Sequence, residues 1–229
     1  MAKDRILVWD LPTRVMHWTM ALSFLGAFLT AESERYRDVH VMLGYTLLGV
    51  IGFRVLWGVI GTRYARFKSF LFGPRAVMSY LMSLVRCKPQ HYVGHNPAGS
   101  VAIYLLLALG LLAGATGYAA YNDLGGKALS ELHEGVANFM LTVVIVHIAG
   151  VIVSTFLHRE NLVGAMITGR KPGESRQGIR YAHTWLALVL VAAIAAFWYQ
   201  GSGDATASSA PVAHASHAKI AGEAHRYHH

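Results

Sequence analysis

The chain has thirteen histidines and one cysteine, Cys87, in 229 residues. A single cysteine excludes a disulfide framework, a cysteine-held iron–sulfur cluster and a CxxCH haem attachment. Imidazole is the ligand left in quantity. Four histidines (His17, His40, His133 and His147) lie in or at the ends of long apolar runs. Ligating residues placed there are functional candidates by default. Fourteen positions separate His133 from His147. On a helix that is roughly 21 Å along the axis and only about 40° around it. The two side chains therefore share one helix face at two depths.

The elements that position these residues are membrane spans. Apolar residues make up 54% of the chain and charged residues 14%, against roughly 25% charged in a typical soluble domain. Five runs reach the ~20 apolar residues a spanning helix needs: about 15–31, 39–60, 98–121, 132–157 and 183–200. None alternates polar and apolar residues as a barrel strand does. The first run carries His17 and Trp18 at its start, and no clear small-x-small cleavage site follows before the charged stretch at 32–38. It reads as an uncleaved helix rather than a signal peptide.

Loop charge predicts orientation. Residues 61–97 hold six basic and no acidic residues, and 158–182 hold five basic and two acidic. The alternate loops, 31–38 and 122–131, together hold three basic and five acidic residues. The positive-inside rule then places the N-terminus in the cytoplasm and the C-terminus outside. The net charge of +8 is thereby topogenic, and a nucleic-acid reading falls away. Residues 74–85, PRAVMSYLMSLV, are amphipathic with proline at a helix start and are expected on the cytoplasmic membrane surface. The stretch 201–229, rich in Ala, Ser and His, reads as a flexible periplasmic tail. Its histidines (His214, His217, His225, His228 and His229) are irregularly spaced.

With this topology the depths pair. His17 and His147 lie near the inner face, His40 and His133 near the outer face. Zinc usually takes four ligands, and no Cys, Asp or Glu stands beside both pairs. Haem iron needs only two axial protein ligands. Gly44, Gly49, Gly52, Gly135 and Gly150 would let a flat macrocycle approach the backbone, although glycine also serves plain helix contacts. Two bis-histidine haems leave no open iron position, so the chemistry is electron transfer. Arg54, fourteen residues after His40, suits a haem propionate or snorkels to the headgroups. Glu134 is expected to be solvated. His91, His95, His158 and His183 lie at or near the cytoplasmic boundary, with His95 and His183 also candidates for haem-edge or quinone contacts.

The segments VWDLPTRVMHW (8–18), HNPAGS (95–100), ELHEGVANFMLTVVIVHIAGV (131–151) and HRENLVGAMITGRK (158–171), with the long run 38–67, resemble in ordered combination the bacterial cytochrome b561 family. That family is grouped with the b-type cytochrome subunit of nickel–iron hydrogenases. The resemblance implies an all-α membrane protein: a four-helix core binding two haem b, here followed by a fifth spanning helix. It implies that His17 and His147 ligate the cytoplasmic-side haem iron, and His40 and His133 the outer one. It also implies electron exchange between the quinone pool and a redox partner at the bacterial inner membrane. That partner would be a hydrogenase or dehydrogenase subunit, another periplasmic redox protein, or a c-type cytochrome. The organisation expected is a di-haem domain over 1–171, a linker and fifth helix over 172–200, and the tail. A histidine-lined metal transporter and a structural anchor of a larger complex are the competing classes. A transporter would show broken helices or repeats, and neither is evident.

Overall fold

The computed structural model describes residues 4–88 and 90–208, with side chains to residue 201. The tail histidines from His214 onward lie outside the described residues. The helices are α1 (Leu11–Thr30), α2 (Arg37–Ile60), α3 (Pro74–Val85), α4 (Pro97–Tyr121), α5 (Gly126–His158), α6 (Leu162–Thr168) and α7 (Thr184–Ser208). Strands β1 (Asp4–Leu7) and β2 (Arg170–Gly173) pair antiparallel, Asp4 opposite Gly173 and Leu7 opposite Arg170. This two-stranded sheet departs from the all-α expectation. Four-residue segments that include Pro172 and Gly173 carry no strand period, and only tertiary pairing makes them strands.

Among the described residues four helices are long and apolar enough to cross a membrane: Glu34–Ile60, Pro97–Tyr121, Gly126–His158 and Thr184–Gly201. The five expected from sequence are not reached on this measure. Helix α1 has 20 residues, but Thr13, Arg14 and His17 in its first two turns dilute its apolar content. Helix α7 also extends beyond the expected end at residue 200, to Ser208. Adding residues to a formed helix is far easier than starting one.

Local sequence explains where the helices begin. Asp10 caps α1, accepting a hydrogen bond from Thr13 N at 2.7 Å, and Pro12 follows in the first turn. Asn96 caps α4 by accepting from Gly99 N at 2.7 Å, with Pro97 next. Asn161 does the same for α6 toward Gly164 N. Each cap satisfies an amide that the helix leaves unpaired. Helix α1 packs along α2, α4 along α5, and α2 against α4. The last two approach closely at Gly110, where an added Cβ would collide with Ile51. Residues up to 192 form one compact unit. Within it the start of α1 is tied down by backbone bonds: Val8 N and Trp9 N donate to Gly169 O, and Leu11 N donates to Ala182 O.

Candidate functional site

Helix α5 carries His133 in its second turn and His147 four turns on. Its main partner is α4, and a cavity of about 470 Å3 lies between α5 and the α1–α2 pair. The lining includes Phe24, His40, Gly44, Gly117, His133 and Met140. The rings of His40 and His133 face each other there, with centroids 6.2 Å apart and planes at 88°. Two metal–nitrogen bonds of about 2 Å, plus the distance from each nitrogen to its ring centre, add to roughly this separation.

The protonation pattern suits ligation too. His40 Nδ1 donates to Ala27 O at 2.8 Å. His133 Nδ1 donates to Ala113 O at 3.0 Å. An imidazole whose Nδ1–H is held by a carbonyl presents Nε2 as a lone-pair donor. Ala27 O is available because α1 ends nearby, where Ala31 N turns to Phe28 O.

Of the glycines expected to admit a macrocycle, Gly44 lines this cavity, with nothing within 4 Å of an added Cβ. Gly49, Gly52, Gly135 and Gly150 also face open space but are not part of that lining. Gly114 and Gly117, which sequence reasoning missed, line it from α4. A Cβ on Gly117 would stand 2.9 Å from His133 Cε1, so this glycine lets the Cε1–Nδ1 edge of the ring approach α4. The signal was present: the two are three residues apart and share a helix face.

At the other end of the helices His17 and His147 lie close enough to interact electrostatically. His17 Nδ1 is buried without a hydrogen-bond partner. Arg54 is 5% exposed, its guanidinium 4.9 Å above the Phe67 ring, and its Nη1 is buried and unpartnered. This rules out snorkelling as the account of Arg54, because the side chain does not reach solvent. His95, just before α4, is wedged between Trp9 and Phe70 at 4.6 and 4.3 Å. Burial first, then the nearby cations Arg54 and Lys171, push its pKa down to about 3. This end of the bundle therefore concentrates one buried guanidinium and buried nitrogens of His17, Arg54 and His95 without hydrogen-bond partners, which fits the two propionates of a haem.

One buried carboxylate is present and is already committed. Asp10 is 0% exposed. Besides capping α1 it accepts from Trp57 Nε1 at 3.1 Å and from Thr62 Oγ1. Sequence reasoning did not single it out, because its partners come from the far end of α2 and the loop beyond. Glu134 is exposed, as expected. His183 stacks edge-on against Trp57 at 5.4 Å. Among the described residues no cluster of three or more His, Cys, Asp or Glu could hold a bare metal ion.

Comparison with known proteins follows this geometry. A protein of Rhizobium leguminosarum bv. viciae named "Probable Ni/Fe-hydrogenase B-type cytochrome subunit" is 26% identical over 76% of this chain and 92% of its own length. Proteins of the same name from Rhodobacter capsulatus and Azotobacter vinelandii are 22% and 30% identical. The first match covers 74% of this chain and 82% of the relative, the second 52% and 60%. No solved structure gives a significant match. Residues 8–169 match the sequence profile described as prokaryotic cytochrome b561, and that span contains every residue of both histidine pairs. The chain belongs to the prokaryotic cytochrome b561 family.

Proposed function

We propose that this protein carries electrons across a bacterial inner membrane through two bis-histidine haems, one held by His40 and His133, the other by His17 and His147. Family membership makes haem b the cofactor and membrane electron transfer the activity. The single observation that carries the finer reading is the His40–His133 pair. Its rings are 6.2 Å apart across a cavity, and each Nδ1 is held by a carbonyl of a neighbouring helix.

When bound, each haem would supply a one-electron iron couple. The chain's own residues fix its place and environment. The Ala27 and Ala113 carbonyls orient the two imidazoles. The Gly44 and Gly117 faces leave room beside them. Arg54 offers positive charge and an unpartnered donor at the opposite end, and the neutral His95 a ring nitrogen. Helix α1, about 30 Å long at 1.5 Å per residue, spans beside α2 as the remaining helix of the core. The N-terminus is cytoplasmic on the loop-charge argument. The electron partners are the quinone pool and a redox protein at the outer face. The relatives' names make a nickel–iron hydrogenase the leading class for that protein. Other dehydrogenase subunits and c-type cytochromes are alternatives.

The test is a pyridine haemochrome assay with a redox-titrated visible spectrum on detergent-purified protein. About two haem b per chain, titrating in two steps, support the reading. One haem per chain under ample haem supply removes it.

Two further outcomes follow. Gly117→Ala should displace the His133 ring and deplete the haem of that pair, leaving the other unaffected. Haem content and the two-step titration report it. Arg54→Gln removes a buried positive charge, and positive charge favours the reduced haem. The midpoint potential of the haem near His17 and His147 should therefore fall by about 60 mV for each 1.4 kcal/mol of lost stabilisation, while the other haem keeps its potential. An equal shift of both, or none, would separate Arg54 from that site.

A further inference from the structure

A third histidine pair lies outside the haem-binding core. His158 ends α5, and His91 lies in the loop between α3 and α4. Their Nδ1 atoms are 3.1 Å apart, with ring centroids at 4.8 Å and planes at 75°. Two nitrogen lone pairs do not face each other at that distance unbridged. Either a proton or a cation lies between them.

Tyr80 decides which bridges are open. It is fully buried, and its hydroxyl lies 3.3 Å from His158 Nε2. The same hydroxyl oxygen accepts from Ser154, one turn before His158 on α5. If Tyr80 donates to Nε2, the proton of His158 sits on Nδ1 and is shared with His91. If His158 carries its proton on Nε2 instead, the Tyr80 oxygen accepts from it, and with the His91 proton likewise on Nε2 both Nδ1 atoms are bare and convergent. A ligand histidine held from its far nitrogen by a fixed oxygen is the usual arrangement at metal sites. Two nitrogens bound tetrahedrally to one ion at about 2.0–2.1 Å lie about 3.3 Å apart, and the pair needs a shift of only about 0.2 Å to reach that.

We propose that His91 and His158 bind one divalent transition-metal ion of the imidazole-preferring class, with Tyr80 positioning His158. The site is independent of the haem reading. His91 is exposed, so the ion can exchange with solvent. Among the described residues no third His, Cys, Asp or Glu joins the pair, so water completes the coordination. Lys171, whose charge acts on His158, is paired with Glu160 at 3.2 Å. The bound ion would staple the loop that precedes α4 to the end of α5. Affinity should follow the usual order for nitrogen sites, Cu2+ above Zn2+.

The experiment is a titration of the haem-loaded, full-length chain with Zn2+ by calorimetry and with Cu2+ by electron paramagnetic resonance. The tail histidines are common to every variant, so the difference between variants is the readout. His91→Ala and His158→Ala should each abolish one site or weaken it at least tenfold. The double variant should lose no more than either single one, since both serve one ion. Tyr80→Phe should weaken it a few-fold. His91→Ala alone decides the matter if a change at His158 impairs folding, because His91 lies in an exposed loop. Equal stoichiometry and affinity in wild type and His91→Ala would overturn the proposal. The haem spectrum, recorded on the same samples, reports separately on the haem reading.

Discussion

His133→Ala should remove the same haem as His40→Ala, and His17→Ala the same haem as His147→Ala. Each single variant should retain about one of two haems, and each within-pair double variant should resemble its singles. The expectation follows from the coordination chemistry. A site that would hold its haem through two imidazoles should lose that haem when either imidazole is removed. For the first pair the geometry is direct, because the rings of His40 and His133 share one cavity. For the second it rests on the proximity of His17 and His147 and on the unpartnered His17 Nδ1. Haemochrome quantification and the two-step potentiometric titration separate the losses. If the effects of His40→Ala and His147→Ala coincide instead, the helix arrangement argued above is wrong.

The second large effect is on stability. Asp10→Ala should cost about 3–7 kcal/mol, from a lost helix cap of about 1 kcal/mol and two buried donors left unpaired at about 1–3 kcal/mol each. Asp10 is fully buried and is the shared acceptor for Thr13 N, Trp57 Nε1 and Thr62 Oγ1. Its removal also strips Arg54 of a nearby opposite charge. Thr62→Val should cost less, about 1 kcal/mol, because it removes one partner and leaves the carboxylate two others. Thermal denaturation in detergent, followed through helix content, measures both. A melting temperature unchanged in Asp10→Ala would show that water replaces the carboxylate and that the network does not support the fold.

The four histidines were legible in the sequence because helical periodicity fixes depth and face along one element. Fourteen residues on α5 could be converted to an angle and a distance with no knowledge of the fold. What the imidazoles touch was not legible. The Ala27 and Ala113 carbonyls are backbone groups, and nothing in an alanine's identity marks its carbonyl as an acceptor for a distant ring. Arg54 was legible as an oddity, but its buried location was not, because helix two ends six residues later and snorkelling was equally open to it. Asp10 passed unnoticed for a related reason. In the sequence it is one acid among the apolar residues Ile6 to Pro12, ahead of the first expected span, and only the packing of α1 against α2 encloses it. Helix α1 shows the limit of reading spans from composition: the polar residues of its first turns lower its apolar content.

The small sheet bears on the order in which the protein is made. Strand β1 leaves the ribosome before α1, and its partner β2 appears only after α1 to α6 have been synthesised. Until then the amides of Val8 and Trp9 also lack Gly169 O. The pairing therefore has high sequence separation and closes late, after the helices have docked. A chain released before residue 169 would carry an open strand edge next to the apolar Ile6 and Val8, an edge of the kind that seeds misassembly. The short strand pair thus distinguishes a finished helical core from an interrupted one.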